Sequence, residues 1–212
     1  MKGLLLKDLY VAKEYCRSYL LMVLVFLGVS CFSPDNMFFL FYPNIFCGLI
    51  VETLFAFDEK CGFLRYRGAL PCTKKDYVNA KYIFGIAAQF TVYLLTCICY
   101  GIRLRGSGKF EPGSYCNVIS LVFSVSCLAV SLSHPFIFRY GVEKGRIAYY
   151  VLIGFGCAAG LIANYALSSL QFTGTFQMLV PPFLFLLGIL CYLISWKLSL
   201  RFFQKREGAR ML

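Results

Sequence analysis

The sequence predicts an all-α polytopic membrane protein with six transmembrane helices, an amphipathic helix before the first of them and one long charged loop after the second. Three observations predict it. Hydrophobic residues make up 59% of the chain, aromatic residues 18%, and mean hydropathy is +0.70, whereas soluble domains are roughly 45–50% apolar. The apolar residues fall into blocks of about 20, the length that crosses a hydrocarbon core. Basic residues concentrate in alternate linkers between those blocks. At 212 residues the chain forms a single transmembrane domain, with no room for a separate soluble enzyme domain.

Residues 1–18 begin the chain as a helix in which Leu4, Leu5, Tyr10 and Val11 alternate with Lys2, Lys7, Lys13 and Arg17, a pattern suited to the membrane interface. Basic residues before an apolar run also resemble a signal peptide. Asp8 and Glu14 interrupt the run and no small-x-small site follows, so the segment is expected to be retained. Spans are expected at 19–34, 37–57, 80–102, 115–137, 147–168 and 177–198. The linkers are "SPDN" at 33–36, the charged stretch "DEKCGFLRYRGALPCTKKDYVNAK" at 58–81, "RLRGSGKFEPGS" at 103–114, "RYGVEKGR" at 139–146 and "SSLQFTGTF" at 168–176. The chain closes on "KLSLRFFQKREGARML".

The net charge of +11 does not describe a nucleic-acid-binding domain, because the cations are scattered among apolar blocks. It describes topology. With the N-terminus cytoplasmic, inner segments hold 18 of the 21 basic residues, and the outer loops hold only Arg103, Arg105 and Lys109. The positive-inside rule then places both termini in the cytoplasm and makes 58–81 the largest cytoplasmic loop.

The eleven cysteines, Cys16, Cys31, Cys47, Cys61, Cys72, Cys97, Cys99, Cys116, Cys127, Cys157 and Cys191, are odd in number and mostly inside apolar blocks. They are expected to be small packing residues rather than a disulfide framework. Cys97 and Cys99 are two apart, on different sides of a helix, and cannot chelate a metal together. "GSGKF" at 106–110 brushes the phosphate-loop pattern, but Arg103 stands where its first Gly belongs and Phe110 where its hydroxyl belongs. No cofactor is expected to bind this chain. The spacing of Asp58, Cys61, Gly68, Cys72 and Asp76 brushes the Asp-rich motif of lipid-modifying membrane transferases. Such enzymes need four carboxylates around two divalent cations, and two of the four positions here are Cys.

The charged loop reads as a short amphipathic helix. Phe63, Leu64, Tyr66 and Leu70 can share one side, with Lys60, Arg65 and Arg67 toward the other, and Pro71 ends it. Juxtamembrane cations commonly serve only to anchor spans to lipid headgroups. That role does not account for Asp58, Glu59, the aromatic stripe or the Leu-Pro break, which suit contact with another protein. Within the spans, Glu52 is an intramembrane carboxylate, to be read as a substrate or gating residue or as a hydrogen-bonded position near the interface. His134, beside Pro135, is a helix-end polar residue. Gly156-x-x-x-Gly160 gives the fifth span a close-packing face, within one subunit or between two. On residues alone, a membrane sensing module coupled to another cytoplasmic partner is the competing reading.

Leu70-Pro71, Thr73-Lys74, Tyr77-Val78 and Lys81-Tyr82, behind Asp58-Glu59, resemble the first cytoplasmic loop of six-span permeases of the type-2 ATP-binding-cassette (ABC) exporters. "MKGLLLKDLY" and "HPFIFRYGVEKGR" at 134–146 are similar to that family's N-terminal helix and the loop after its fourth span. The small permeases of bacterial peptide exporters, including those for phenol-soluble modulins, are the members it most resembles. The resemblance implies that 58–76 carries a coupling helix, with Asp58, Glu59, Lys60, Phe63, Leu64, Arg65, Tyr66, Arg67, Leu70 and Pro71 facing a separate ABC ATPase subunit. ATP and Mg then bind in that partner. It further implies a second permease copy, a bacterial plasma membrane location and export of amphipathic peptides, for which 22 Phe and 15 Tyr offer an aromatic route.

Overall fold

A computed structural model describes residues 2–32, 38–66, 69, 73–108, 111–151, 154 and 174–208. Every regular element among them is a helix: α1 (Lys2–Tyr15), α2 (Arg17–Phe32), α3 (Phe38–Lys60), α4 (Phe63–Tyr66), α5 (Lys74–Gly106), α6 (Pro112–Tyr140), α7 (described over 142–151) and α8 (Gly174–Gly208). Four stretches are long and apolar enough to cross a membrane: Phe39–Lys60, Lys74–Gly106, Pro112–Tyr140 and Pro181–Lys205. α1 and α2 meet at 71° and supply a fifth if the bent pair counts as one span. The six expected spans are therefore four or five among the described residues. Most of the expected span at 147–168 lies outside them, and Gly156 and Gly160 with it.

The packing explains why the helices sort as they do. α3 is central and lies against α2, α5 and α6, while α6 and α8 run along each other. Leu27, Ile50, Leu54 and Val92 join α2, α3 and α5 in one core. Val51, Phe55, Val78, Tyr82, Ile137, Phe138, Tyr192 and Phe203 join α3, α5, α6 and α8 in another. Buried hydroxyls and amides add cross-links where hydrocarbon offers no other partner. Asn44 donates to Thr96 at 3.0 Å, Tyr82 shares hydrogen bonds with Ser195 and Ser199 at 2.8 and 2.6 Å, and Trp196 donates to Asn79 at 2.8 Å. Ile83, Ile86, Phe90, Leu94, Ile98 and Ile102 are exposed along one line of α5. Such a stripe is costly in water and suits lipid.

Two local devices place the segment between α3 and α5. Gly62 has φ 67°, which lets the chain reverse directly after Lys60 at little steric cost. Thr73 and Asp76 then form a reciprocal capping box that starts α5. α5 has 33 residues, a length of about 50 Å at 1.5 Å per residue, so it extends beyond a hydrocarbon core of about 30 Å.

Candidate functional site

The α4 end of the bundle concentrates the charged residues that the helices bury. On α1, Asp8 shares the inward line of Leu4 and Ala12 at four-residue spacing. On α5, Tyr77 and Lys81 are one turn apart and both buried. On α3, Asp58 is buried one turn after Leu54. The Lys81 ammonium lies 2.8 Å from Asp8 Oδ1 and 2.8 Å from Asp58 Oδ2. Lys7 Nζ lies 2.6 Å from Asp58 Oδ1 and 3.3 Å from Asp8 Oδ1, and the Tyr77 hydroxyl donates to Asp58 Oδ2 at 2.9 Å. Two lysines and two aspartates thus close a charge-balanced cluster across α1, α3 and α5. Ionised groups can be buried only with such multiple, short partners.

Aromatic rings wall the cluster. Lys7 Nζ stands 3.8 Å from the Phe63 ring centroid, and Lys81 Nζ lies 5.4 Å from that of Phe55, both within cation–π range. Tyr77 stacks on Phe203 of α8 at 5.4 Å. Next to Asp58, Glu59 turns elsewhere: its Oε2 accepts the Val142 N–H at 3.2 Å, satisfying a donor at the first turn of α7.

The loop residues singled out in the sequence therefore separate. Asp58 is buried, Glu59 is exposed but engaged with the Val142 N–H, and Phe63 packs against the core. Lys60 and Tyr66 are exposed. Phe63 and Tyr66 thus do not share one outward stripe. The side chains of Leu64 and Arg65, and all of Arg67, Leu70 and Pro71, lie outside the described residues. Lys7, Asp8, Tyr77 and Lys81 are what the sequence reading missed. The available signal was spacing: Asp8 falls four residues from both Leu4 and Ala12, and Lys81 falls among Tyr77, Val78 and Tyr82.

Farther along α3, Glu52 is fully buried, and the Ser133 hydroxyl of α6 lies within reach of its carboxyl. Arg146 of α7 is within electrostatic reach of it. His134 is also fully buried; its Nδ1 donates to the Val130 carbonyl at 2.8 Å, and Nε2 has no partner among the described residues. Its ring stands 6.1 Å from Phe55 and 5.1 Å from Tyr82. It is a core residue, nearly two turns inside the end of α6.

A family model described as "ABC-2 family transporter protein" matches residues 3–204. The chain belongs to the ABC-2 transporter family. No curated protein and no solved structure matches it. The matched length runs from α1 into α8 and takes in all four members of the charge cluster. The ABC-2 assignment makes this multi-pass membrane protein a transmembrane permease component of an ABC transporter, and it implies an ABC ATPase as partner.

Proposed function

We propose that the chain is a six-span permease subunit of an ABC exporter in a bacterial plasma membrane. It pairs with a second permease copy and two ATPase subunits, with both termini cytoplasmic. ATP and Mg bind in the ATPase, and this chain transmits work without catalysing chemistry. The observation that carries the reading is the position of α4, held between α3 and α5 with Lys60 and Tyr66 turned outward and Phe63 turned in. In this reading Lys60, Arg65 and Arg67 pair with acidic groups of an ATPase groove, and Leu64 and Tyr66 bury against it. Closure of the two ATPases moves α4, and the spans rock between inward- and outward-facing states.

The cargo we propose is an amphipathic peptide that enters sideways from the inner leaflet, its apolar face against aromatic side chains. Glu52, fully buried on α3 with Ser133 and Arg146 in reach, is the substrate or gating residue on that route. Reversing Arg65 and Arg67 to Glu is expected to lower co-purification of the ATPase and to reduce transport while the chain stays inserted. Amphipathic helical peptides are expected to stimulate ATP hydrolysis by the reconstituted complex more than hydrophilic peptides of equal length and charge. Unchanged association removes the docking role of this loop and favours a sensing module. Equal stimulation removes peptide export.

A further inference from the structure

The four charges of the α1–α3–α5 cluster are not equally sealed. The side chains of Lys81, Asp8 and Asp58 are 1%, 2% and 3% exposed, whereas Lys7 is 26% exposed. Two carboxylates face one fully buried ammonium, so neutrality depends on Lys7. Lys7 is also the member that touches α4, where its ammonium rests 3.8 Å from the Phe63 ring centroid. Phe63 in turn packs on the core that holds Tyr77, with 6.2 Å between the two rings. The seat of α4 and the charge balance beneath α1 therefore meet at one side chain.

We infer that Lys7 is a positioning residue through which α4 holds α1 against α3 and α5. With Phe63 seated, the ammonium is confined between the ring, Asp58 and Asp8. When α4 is drawn outward, Lys7 loses its ring and gains access to water. The buried trio of Asp8, Asp58 and Lys81 then carries a net negative charge in a poorly solvated place, which disfavours the docked position of α1. A displacement of α4 is converted in this way into release of a helix that is distant in sequence. The inference rests on the reading of α4 as the segment an ATPase moves.

Hydrogen–deuterium exchange on the full chain in lipid nanodiscs tests the linkage without any partner. Lys7→Gln removes the charge, Phe63→Leu removes the ring but keeps apolar bulk, and Lys7→Arg keeps the charge. Lys75→Gln, on the exposed side of α5, is the control for charge loss alone. Lys7→Gln and Phe63→Leu are each expected to raise exchange of α1 amides about tenfold, with Lys7→Arg and Lys75→Gln within about twofold of the parent chain. Wild-type protection in Phe63→Leu, or equal loss in Lys75→Gln, overturns the linkage. The same measurement on the co-purified complex is expected to show α1 exchange rising when a non-hydrolysable ATP analogue is added. If no ATPase co-purifies, the docking reading fails, while the nanodisc result still decides the linkage. If the ATPase binds and Phe63→Leu leaves α1 protected, the linkage fails alone.

Discussion

Lys81 occupies a face of α5 made otherwise of Tyr77, Val78, Tyr82 and Gly85. It is tolerated there because its ammonium meets Asp8 and Asp58, each at 2.8 Å. Removing one partner of such a group costs far more than the pair contributes net, because the remaining charge stays buried without compensation. Lys81→Met keeps the apolar stem and deletes the charge, leaving two carboxylates with Lys7 alone. It is expected to destabilise the chain by about 3–5 kcal/mol, read as a lower thermal unfolding midpoint in detergent. Asp8→Asn combined with Lys81→Met removes one charge of each sign and leaves Lys7 paired with Asp58, so the double change is expected to cost less than the sum of the two single ones. Additive losses in that double-mutant cycle would show that the two side chains are not coupled.

At the scale of elements, the joint between α6 and α7 shows how a short linker is fixed. Gly141 takes φ 94°, a conformation open to Gly and strained for other residues, and the Glu59 carboxylate meets the Val142 N–H. Gly145, one turn on, is packed so closely on Ile137 that a Cβ placed there would overlap its side chain. Gly145→Ala is expected to cost about 1–3 kcal/mol by overpacking, and Ile137→Val in the same chain to return part of it in a thermal unfolding assay. No recovery would place the strain elsewhere. The long apolar runs behind α3, α5, α6 and α8 were legible in the sequence, since hydrophobic residues dominate each block despite Glu52 in α3 and His134 in α6. The inward line of α1 was not. Periodicity placed Lys7 with the solvated cations, because a charge reads as exposed until its partners are known. Those partners, Asp58 and the Phe63 ring, lie on α3 and α4, more than fifty residues away along the chain. The same limit applied to Phe63, whose spacing suited an outward stripe while its ring is held by a distant ammonium.

For the whole molecule, the direction in which the bundle faces decides whether α4 can meet an ATPase. The distribution of basic residues, with only Arg103, Arg105 and Lys109 in the expected outer loops, underlies the proposal that the α4 end faces the cytoplasm, by the positive-inside rule. Gly145 is an obvious place for a reporter cysteine on that side, but its contact with Ile137 makes any side chain there disruptive and poorly accessible. Lys144 is exposed beside it, and Ser107 is exposed in the turn after α5. The natural cysteines Cys31, Cys61 and Cys116 are exposed as well, so they are first replaced by Ser. In intact cells, a thiol reagent that cannot cross the membrane is then expected to label Ser107→Cys and to leave Lys144→Cys unlabelled until the cells are opened. The reverse pattern would put α4, Lys60 and Tyr66 outside, away from any ATP-hydrolysing partner. It would remove the proposed docking role together with the orientation, while leaving the ABC-2 assignment intact. Labelling of both positions only after lysis would instead place the turn after α5 on the inner side, which requires an even number of crossings between the two sites and so removes α6 as a single span.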